Sequence, residues 1–148
     1  MVTAPQLVLL IGIQATGKST FCRERLFDTH VRVNLDMLKT RPREAALVNA
    51  CLQSKTSFVV DNTNVTRADR ARYIPAAREA GFVVCGFFFE SRIADATPRN
   101  AARQRRVPEA AIRNASARLE VPQTTEGFDT LQFVRIAEAG FTVENWKP

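Results

Sequence analysis

Short apolar runs alternate with segments of helical periodicity along the chain of 148 residues. The first run, Leu7-Val8-Leu9-Leu10-Ile11, is uninterrupted by polar residues, which is typical of a strand buried on both faces. Similar runs predict strands over 6–13, 31–34, 56–60, 82–89 and 131–136. Because helical segments separate these runs, the pattern predicts a three-layer α/β fold: a parallel sheet of about five strands with helices on both faces.

Capping residues and prolines indicate where the helices begin and end. Thr66 and Asp69 have the spacing of a capping box, and the helix that they start is expected to end near Gly81, since glycine tolerates a positive φ. Pro75 lies inside this helix and predicts a kink. After the fourth strand an arginine-rich helix is predicted over about 93–106. No long linker interrupts the series, so we expect one domain over residues 1–148.

Composition and charge limit the classes of protein that fit. The chain is 45% hydrophobic and 24% charged, and no run approaches the roughly 20 apolar residues of a membrane span. Its three cysteines have no metal-ligand spacing, and the first residues do not resemble a secretory signal, so a cytoplasmic location without a membrane partner is expected. A net charge of +6 favours phosphate-bearing partners, although a solvated basic surface has the same composition. The oligomeric state is left open.

The loop after the first strand carries the strongest motif. Its sequence, Gly12-Ile13-Gln14-Ala15-Thr16-Gly17-Lys18-Ser19-Thr20, has the spacing G-x-x-x-x-G-K-S of a P-loop between a strand and a helix. Backbone N–H groups of such a loop surround phosphates, Lys18 would reach the terminal phosphates, and the Ser19 hydroxyl would ligate Mg²⁺. A chance glycine turn is the alternative, but the flanking elements favour a site for ATP or GTP. The predicted nucleotide contacts in this loop are Gly12, Gln14, Ala15, Thr16, Gly17, Lys18, Ser19 and Thr20.

Two acidic residues follow predicted strands, at the edge of the sheet where ligands bind in doubly wound folds. Asp36 follows the second strand and is a candidate general base for an attacking hydroxyl, or else the N-cap of the next helix. Asp61 ends the apolar segment Phe58-Val59-Val60 and is a candidate Walker B acid, or else part of a polar turn. Ala15 stands where many kinase loops have glycine, and it would be strained in a left-handed backbone.

Three arginines are spaced to share one helix face. Arg99, Arg103 and Arg106 would repel one another there unless an anion lies opposite. This cluster predicts a helical lid, approximately over 92–120, that closes on nucleotide phosphates and brings one arginine to the transferred group. A solvated arginine face is the alternative, and the P-loop favours the lid.

Five blocks occur in a fixed order along the chain: Gly12 to Thr20, Val33 to Asp36, Val60 to Asn64, Arg99 to Arg103 and Pro122 to Phe128. In this order and approximate spacing, from residue 6 to about 136, the chain resembles the kinase domain of the 5′-hydroxyl polynucleotide kinases. The resemblance implies a P-loop kinase fold and transfer of the ATP γ-phosphate to a 5′-OH end of DNA or RNA with Mg²⁺.

The same resemblance assigns roles to residues. It implies catalytic roles for Lys18, Asp36 and Arg103, with Asp36 as the general base and Arg103 at the transferred phosphate. Arg99 would lie near the nucleotide, and the Pro122–Phe128 loop beside the adenine. Asp61 would steady the basic residue Lys39. The implied acceptor-binding residues are Asp36, Lys39, Asp61, Asn64 and Arg70.

Two features depart from this pattern. Lys39 stands where the resemblance predicts an arginine, and a lysine cannot make the planar two-pronged contact of arginine with a phosphate. The segment between Asp36 and the third strand is also short, so the wall of the acceptor site is smaller. Two other functions therefore stay open: a kinase of a small molecule or nucleoside, and a nucleotide-binding ATPase module that serves a protein partner.

Overall fold

The computed structural model describes residues 3–104 and 106–147. Within these residues, six strands form one sheet. The strands are β1 (Gln6–Ile11), β2 (Val31–Val33), β3 (Phe58–Val60), β4 (Val83–Phe89), β5 (Thr130–Ala137) and β6 (Gly140–Asn145). The helices are α1 (Lys18–Arg25), α2 (Leu35–Leu38), α3 (Arg41–Ser54), α4 (Arg67–Ala71), α5 (Ile74–Glu79), α6 (Ile93–Ala101) and α7 (Glu109–Arg118), with a 3₁₀ turn at Thr124–Glu126.

The strand order is β2-β3-β1-β4-β5-β6, and the first five of these strands are parallel to their neighbours. The predicted three-layer fold with about five parallel strands is confirmed. A sixth strand, β6, was not predicted. It pairs antiparallel with β5 through a tight connection ending at Gly140, whose φ is +121°. Because β6 lies at the edge of the sheet, its residues are mostly exposed and lack the apolar run of a buried strand.

The helices cover the two faces of the sheet with separate apolar cores. One core joins alternate residues of β1, such as Leu7 and Leu9, to α3 and α5. The other joins Val8 and Leu10 to Phe21 of α1. A third, smaller cluster packs α6 and α7 against the loop that follows β1. Since β1 is buried on both faces in the centre of the sheet, the loop at its carboxyl end is rigidly supported.

Two helix predictions need correction. The helix expected from Thr66 to Gly81 is two helices, α4 and α5, because Pro75 lies in the first turn of α5 and starts a new helix rather than kinking one. The arginine-rich helix predicted over 93–106 ends at Ala101, and position 105 lies outside the described residues. Its end is fixed by Asn100, whose side chain donates to the Val107 carbonyl at 2.8 Å and accepts from the Val107 N–H at 3.0 Å.

None of the helices in the described ranges combines the length and the apolar character that a membrane crossing requires.

Candidate functional site

The loop between β1 and α1 is anchored where it leaves β1. The Gly12 N–H donates to the Thr63 carbonyl at 2.9 Å, and the Ile13 N–H donates to Ser91 Oγ at 3.1 Å. Within the loop, Thr16 Oγ1 donates to the Ile13 carbonyl at 2.9 Å. These bonds tie the loop to the carboxyl ends of β3 and β4, so its curvature is set before any ligand binds.

Positive φ angles shape the turn of this loop. Gly17 directly precedes α1 with a φ of +94°, and a Cβ added there would lie 2.8 Å from the Phe141 ring. No larger residue therefore fits at this position without a shift. Ala15 has a φ of 61°, so the left-handed backbone anticipated for it is present. Alanine costs roughly 1 kcal/mol in this conformation, and the anchored loop carries that strain.

Lys18 is buried at the start of α1, and its ammonium lies inside the curve of the loop. Its Nζ donates to the carbonyls of Gly12 at 2.8 Å and Ile13 at 2.6 Å. Burial lowers the pKa of Lys18 to about 8; the negative charge of Asp61 opposes this shift and the positive charge of Arg103 adds to it. A buried cation of this kind is stabilised when an anion enters the loop.

Ser19, in the first turn of α1, contacts Asp61, which follows β3. Ser19 Oγ donates to Asp61 Oδ2 at 2.9 Å, and the same carboxylate oxygen accepts from Arg32 Nε at 2.9 Å. Asp61 is almost fully buried. Sequence reasoning missed Arg32, although its position between Val31 and Val33 in a strand signals a side chain facing away from theirs.

The oxygens of Ser19 and Asp61 suit Mg²⁺, which takes few protein ligands and relies on phosphate oxygens and water for the others. The described part of the chain has no cluster of three or more His, Cys, Asp or Glu residues that would hold a metal alone. The loop also fits a nucleotide, since Gln14 lines the cavity described next and its buried Oε1 has no hydrogen-bond partner among the described residues.

A cavity of about 630 Å³ lies in front of this loop. Asp36 lines it from the first turn of α2, where its side chain is exposed. Asn34, and not Asp36, is the N-cap of that helix, because Asn34 Oδ1 accepts from the Met37 N–H at 2.9 Å. The alternative that Asp36 serves as the cap is therefore wrong, and its carboxylate is left facing the cavity. The residues predicted from the sequence that line this cavity are Gln14, Ala15, Gly17, Lys18, Ser19, Thr20, Asp36, Asp61, Asn64, Arg99 and Arg103.

Arg99 and Arg103 approach the cavity from different structural contexts. Arg99 lies in the last turn of α6, whereas Arg103 follows the helix in the segment held by Asn100. The predicted single face with Arg106 is therefore wrong, because the helix ends too early to align the three side chains. Arg99 and Arg103 nevertheless line the same cavity, and Arg103 is close enough to affect the pKa of Lys18.

The predicted pairing of Asp61 with Lys39 is wrong, since Asp61 binds Arg32 and Ser19 instead. Lys39 is exposed at the end of α2 and lines a second, neighbouring cavity. Asn64 touches the first cavity, but its side-chain amide donates to the carbonyls of Leu10 and Val60 and so joins β1 to β3. Its amide nitrogen is therefore used for structure.

Arg70 does not reach the acceptor position that was predicted for it. The side chain is fully buried, and its Nε and Nη2 donate to the two carboxylate oxygens of Glu126 at 2.7 and 3.0 Å. Its Nη1 donates to the carbonyls of Asn64 and Val65 at 3.0 Å each. All of its polar groups point into the protein, so Arg70 holds α4 to the 3₁₀ turn.

The Pro122–Phe128 loop is the segment that the resemblance places beside the adenine. Its residues do not line the cavity in front of the P-loop. Glu126 binds Arg70, and the buried Phe128 ring packs over Gly86 of β4, where an added Cβ would lie 2.6 Å from the ring. Because these contacts are with the core of the fold, the residues of this motif stabilise the packing of the loop against the sheet and α4.

Replacing Glu126 by glutamine is expected to lower the free energy of unfolding by about 2 kcal/mol, because the buried Arg70 charge loses its compensating carboxylate. Urea unfolding followed by circular dichroism measures this change. The kcat per folded molecule should stay within about twofold of the wild type, since neither side chain reaches the cavity. If the Glu126→Gln variant had wild-type stability and a raised KM for the acceptor, Arg70 would belong to the acceptor site after all.

Three comparisons relate the chain to known proteins. The family described as "AAA domain" matches residues 40–122. A bifunctional polynucleotide phosphatase/kinase of Schizosaccharomyces pombe is 30% identical over 135 residues, which cover 87% of this chain and 33% of that protein. The chain thus spans about a third of the length of the curated relative that it matches.

Solved structures share the fold at lower identity. A chain of the Pnkp1/Rnl/Hen1 RNA repair complex is 24% identical with a TM-score of 0.67, and the match covers 87% of this chain and 48% of that one. A gluconokinase from Sinorhizobium meliloti 1021 is 15% identical with a TM-score of 0.63, and the match covers 93% and 86%. The family match covers more than half of the chain, and the relative that is 30% identical is named as a phosphatase/kinase. The chain belongs to the AAA domain family, and it is a P-loop kinase-like domain.

Proposed function

We propose that this domain transfers the γ-phosphate of ATP to the 5′-hydroxyl end of a DNA or RNA strand, with Mg²⁺. The observation that carries the proposal is the position of Asp36, whose exposed carboxylate lines the same cavity as Lys18, Ser19 and Arg103. A binding module needs only the loop, whereas a carboxylate opposite the loop is what an acceptor alcohol requires.

Each of these side chains has a distinct task in the proposal. Lys18 holds a fixed positive charge where the terminal phosphates lie, and Ser19 with Asp61 provides oxygen ligands for the metal. Asp36 orients the attacking hydroxyl and accepts its proton as the phosphorus–oxygen bond forms. Arg103, with Arg99, balances the charge that spreads over the transferred group. Bound ATP with Mg²⁺ would supply the phosphoryl group and leave as ADP.

The related yeast protein supports a polynucleotide end as the acceptor. It is named as a polynucleotide phosphatase/kinase, and its alignment covers 87% of this chain. The charge of +6 supports a polyanionic acceptor as well. We further propose that residues 1–148 act as one kinase domain with 92–120 as its lid, and that it works in the cytoplasm, where its three free thiols stay reduced.

A kinase of a small polyol is the second candidate, because the fold of the gluconokinase matches 93% of this chain. Lys39 in the position expected for an arginine, together with the short wall after Asp36, also suits an acceptor without a phosphate to be gripped. Phosphate transfer from labelled ATP to a 5′-OH oligonucleotide, to nucleosides, to gluconate and to water separates these functions. Equal ATP loss with every acceptor or with none would favour an ATPase module.

Replacing Asp36 by asparagine is expected to lower kcat for the oligonucleotide about 10²-fold, because the hydroxyl loses the group that orients it and accepts its proton. The Kd for ATP should change less than threefold, since the P-loop is untouched. Labelled transfer and calorimetric ATP binding measure the two quantities. Asp28→Asn, on the exposed turn after α1, is the matched control. Full transfer activity in the Asp36 variant would remove the proposed mechanism.

A further inference from the structure

A second cavity, of about 1390 Å³, continues from the first along the side of α1 and β2. The two cavities share a boundary that includes Ser19, Asp36 and Arg103. A ligand whose reacting end lies at Asp36 can therefore extend into the second cavity without leaving the protein surface.

The lining of the second cavity is strongly basic. Arg23, Lys39, Arg103 and Arg106 all have exposed side chains there, whereas Asp36 is the one acidic residue among the described residues that line it. Arg32 also lines this cavity, but its charge is matched by Asp61. The four exposed cations repel one another, and an extended anion is the ligand that relieves this repulsion.

An exposed aromatic side chain, Phe27, also lines this cavity. Phe27 follows α1 and is 76% exposed, although it belongs to the most apolar class of side chains. A base can stack on an exposed ring, while flanking cations contact the backbone phosphates, and this combination is typical of surfaces for single-stranded nucleic acid. An acidic peptide or a phosphate ion would bind the cations but would not account for the exposed ring of Phe27.

From these observations we propose that the second cavity, the α1/β2 groove, binds the nucleotides that follow the 5′-terminal one in a single-stranded acceptor. The inference rests on the proposed function and adds to it the path of the strand. Arg23 and Arg106 contact backbone phosphates, and Phe27 stacks on a base. Along α1 the groove is lined by Ser19 and Arg23, about 6 Å apart at 1.5 Å per residue, and Phe27 lies about one turn (5.4 Å) further along the chain. At about 3.4 Å per stacked nucleotide, this length accommodates roughly three nucleotides.

The test compares acceptors of increasing length at saturating ATP: a 3′-mononucleotide, a dinucleotide, a tetranucleotide and an octanucleotide. KM is expected to fall up to the tetranucleotide and to change little beyond it. Arg23→Glu should raise the KM of the octanucleotide at least five times more than that of the mononucleotide, and should reduce the salt dependence of log KM by about one unit of slope. Phe27→Ala should raise the octanucleotide KM about tenfold.

The matched control is Arg72→Glu, which makes the same charge change on an exposed residue that lines neither cavity. It should leave the length dependence of KM unchanged. The proposal would be wrong if Arg23→Glu raised KM equally for all acceptor lengths. It would also be wrong if Arg72→Glu raised KM as much as Arg23→Glu does. Circular dichroism of each variant establishes that it is folded.

Failure of the proposed function gives a different result. If gluconate is phosphorylated and oligonucleotides are not, the function fails, and fluorescence anisotropy of a labelled octanucleotide then tests the groove alone. Binding that Arg23→Glu weakens at least fivefold supports the groove. Absence of octanucleotide binding overturns it. So does a second pattern, in which the wild type binds a polyglutamate peptide or phosphatidylserine vesicles, and Arg23→Glu abolishes that binding but leaves octanucleotide binding unchanged.

Discussion

Replacing Lys18 by alanine is expected to abolish measurable transfer, with kcat reduced at least about 10³-fold, or roughly 4 kcal/mol of transition-state stabilisation. The ammonium lies inside the curve of the P-loop, where its Nζ bonds two loop carbonyls at 2.6 and 2.8 Å. Because the charge is buried and fixed, it stabilises negative charge that develops on the phosphates more than a solvated lysine would. Steady-state transfer from labelled ATP measures the loss.

Lys147→Ala removes the same charge from an exposed residue that lines neither cavity, and its activity should equal that of the wild type. The Lys18 variant should remain folded, because burial already disfavours its ammonium and lowers its pKa to about 8. Retained turnover in a folded Lys18→Ala variant would contradict a phosphate-transfer role for the loop.

The fold was predictable because its central strands are buried on both faces. Leu7 to Ile11 are apolar without interruption, and the structure places them in the middle of a parallel sheet. The edge strand β6 was not predictable in the same way, because it contacts the core on one side only. Likewise, Pro75 signalled an irregularity, but only the surrounding packing decides whether a proline bends a helix or begins a new one.

The candidate site was predictable where the motif is local and unpredictable where it depends on partners distant in sequence. The loop spacing indicates how Lys18 and Ser19 lie, whereas the partner of Asp61 is Arg32, 29 residues away. Arg70 shows the same limit. An exposed and a buried arginine look alike in a sequence, and Glu126, which buries this one, is 56 residues away.

The position at which α6 ends determines where Arg103 lies in the site. A continuous helix would place Arg103 on a regular face, but α6 ends at Ala101 and the side chain of Asn100 binds the backbone of Val107. Arg103 is thereby exposed at the boundary of both cavities. An arginine on such a segment can move toward the transferred group when ligands bind, which a residue within a packed helix cannot do as freely.

Replacing Arg103 by alanine is therefore expected to lower kcat about 10³-fold while the Kd for ATP rises less than fivefold, since an arginine at the transferred group acts mainly in the transition state. Labelled transfer gives kcat, and calorimetry gives the Kd. Arg113→Ala, on the exposed side of α7, is the matched control and should match the wild type in both. A variant whose kcat is unchanged and whose KM for ATP alone is raised would assign Arg103 to ground-state binding. The split between kcat and Kd thus decides whether the segment after α6 takes part in the chemistry or only holds the nucleotide.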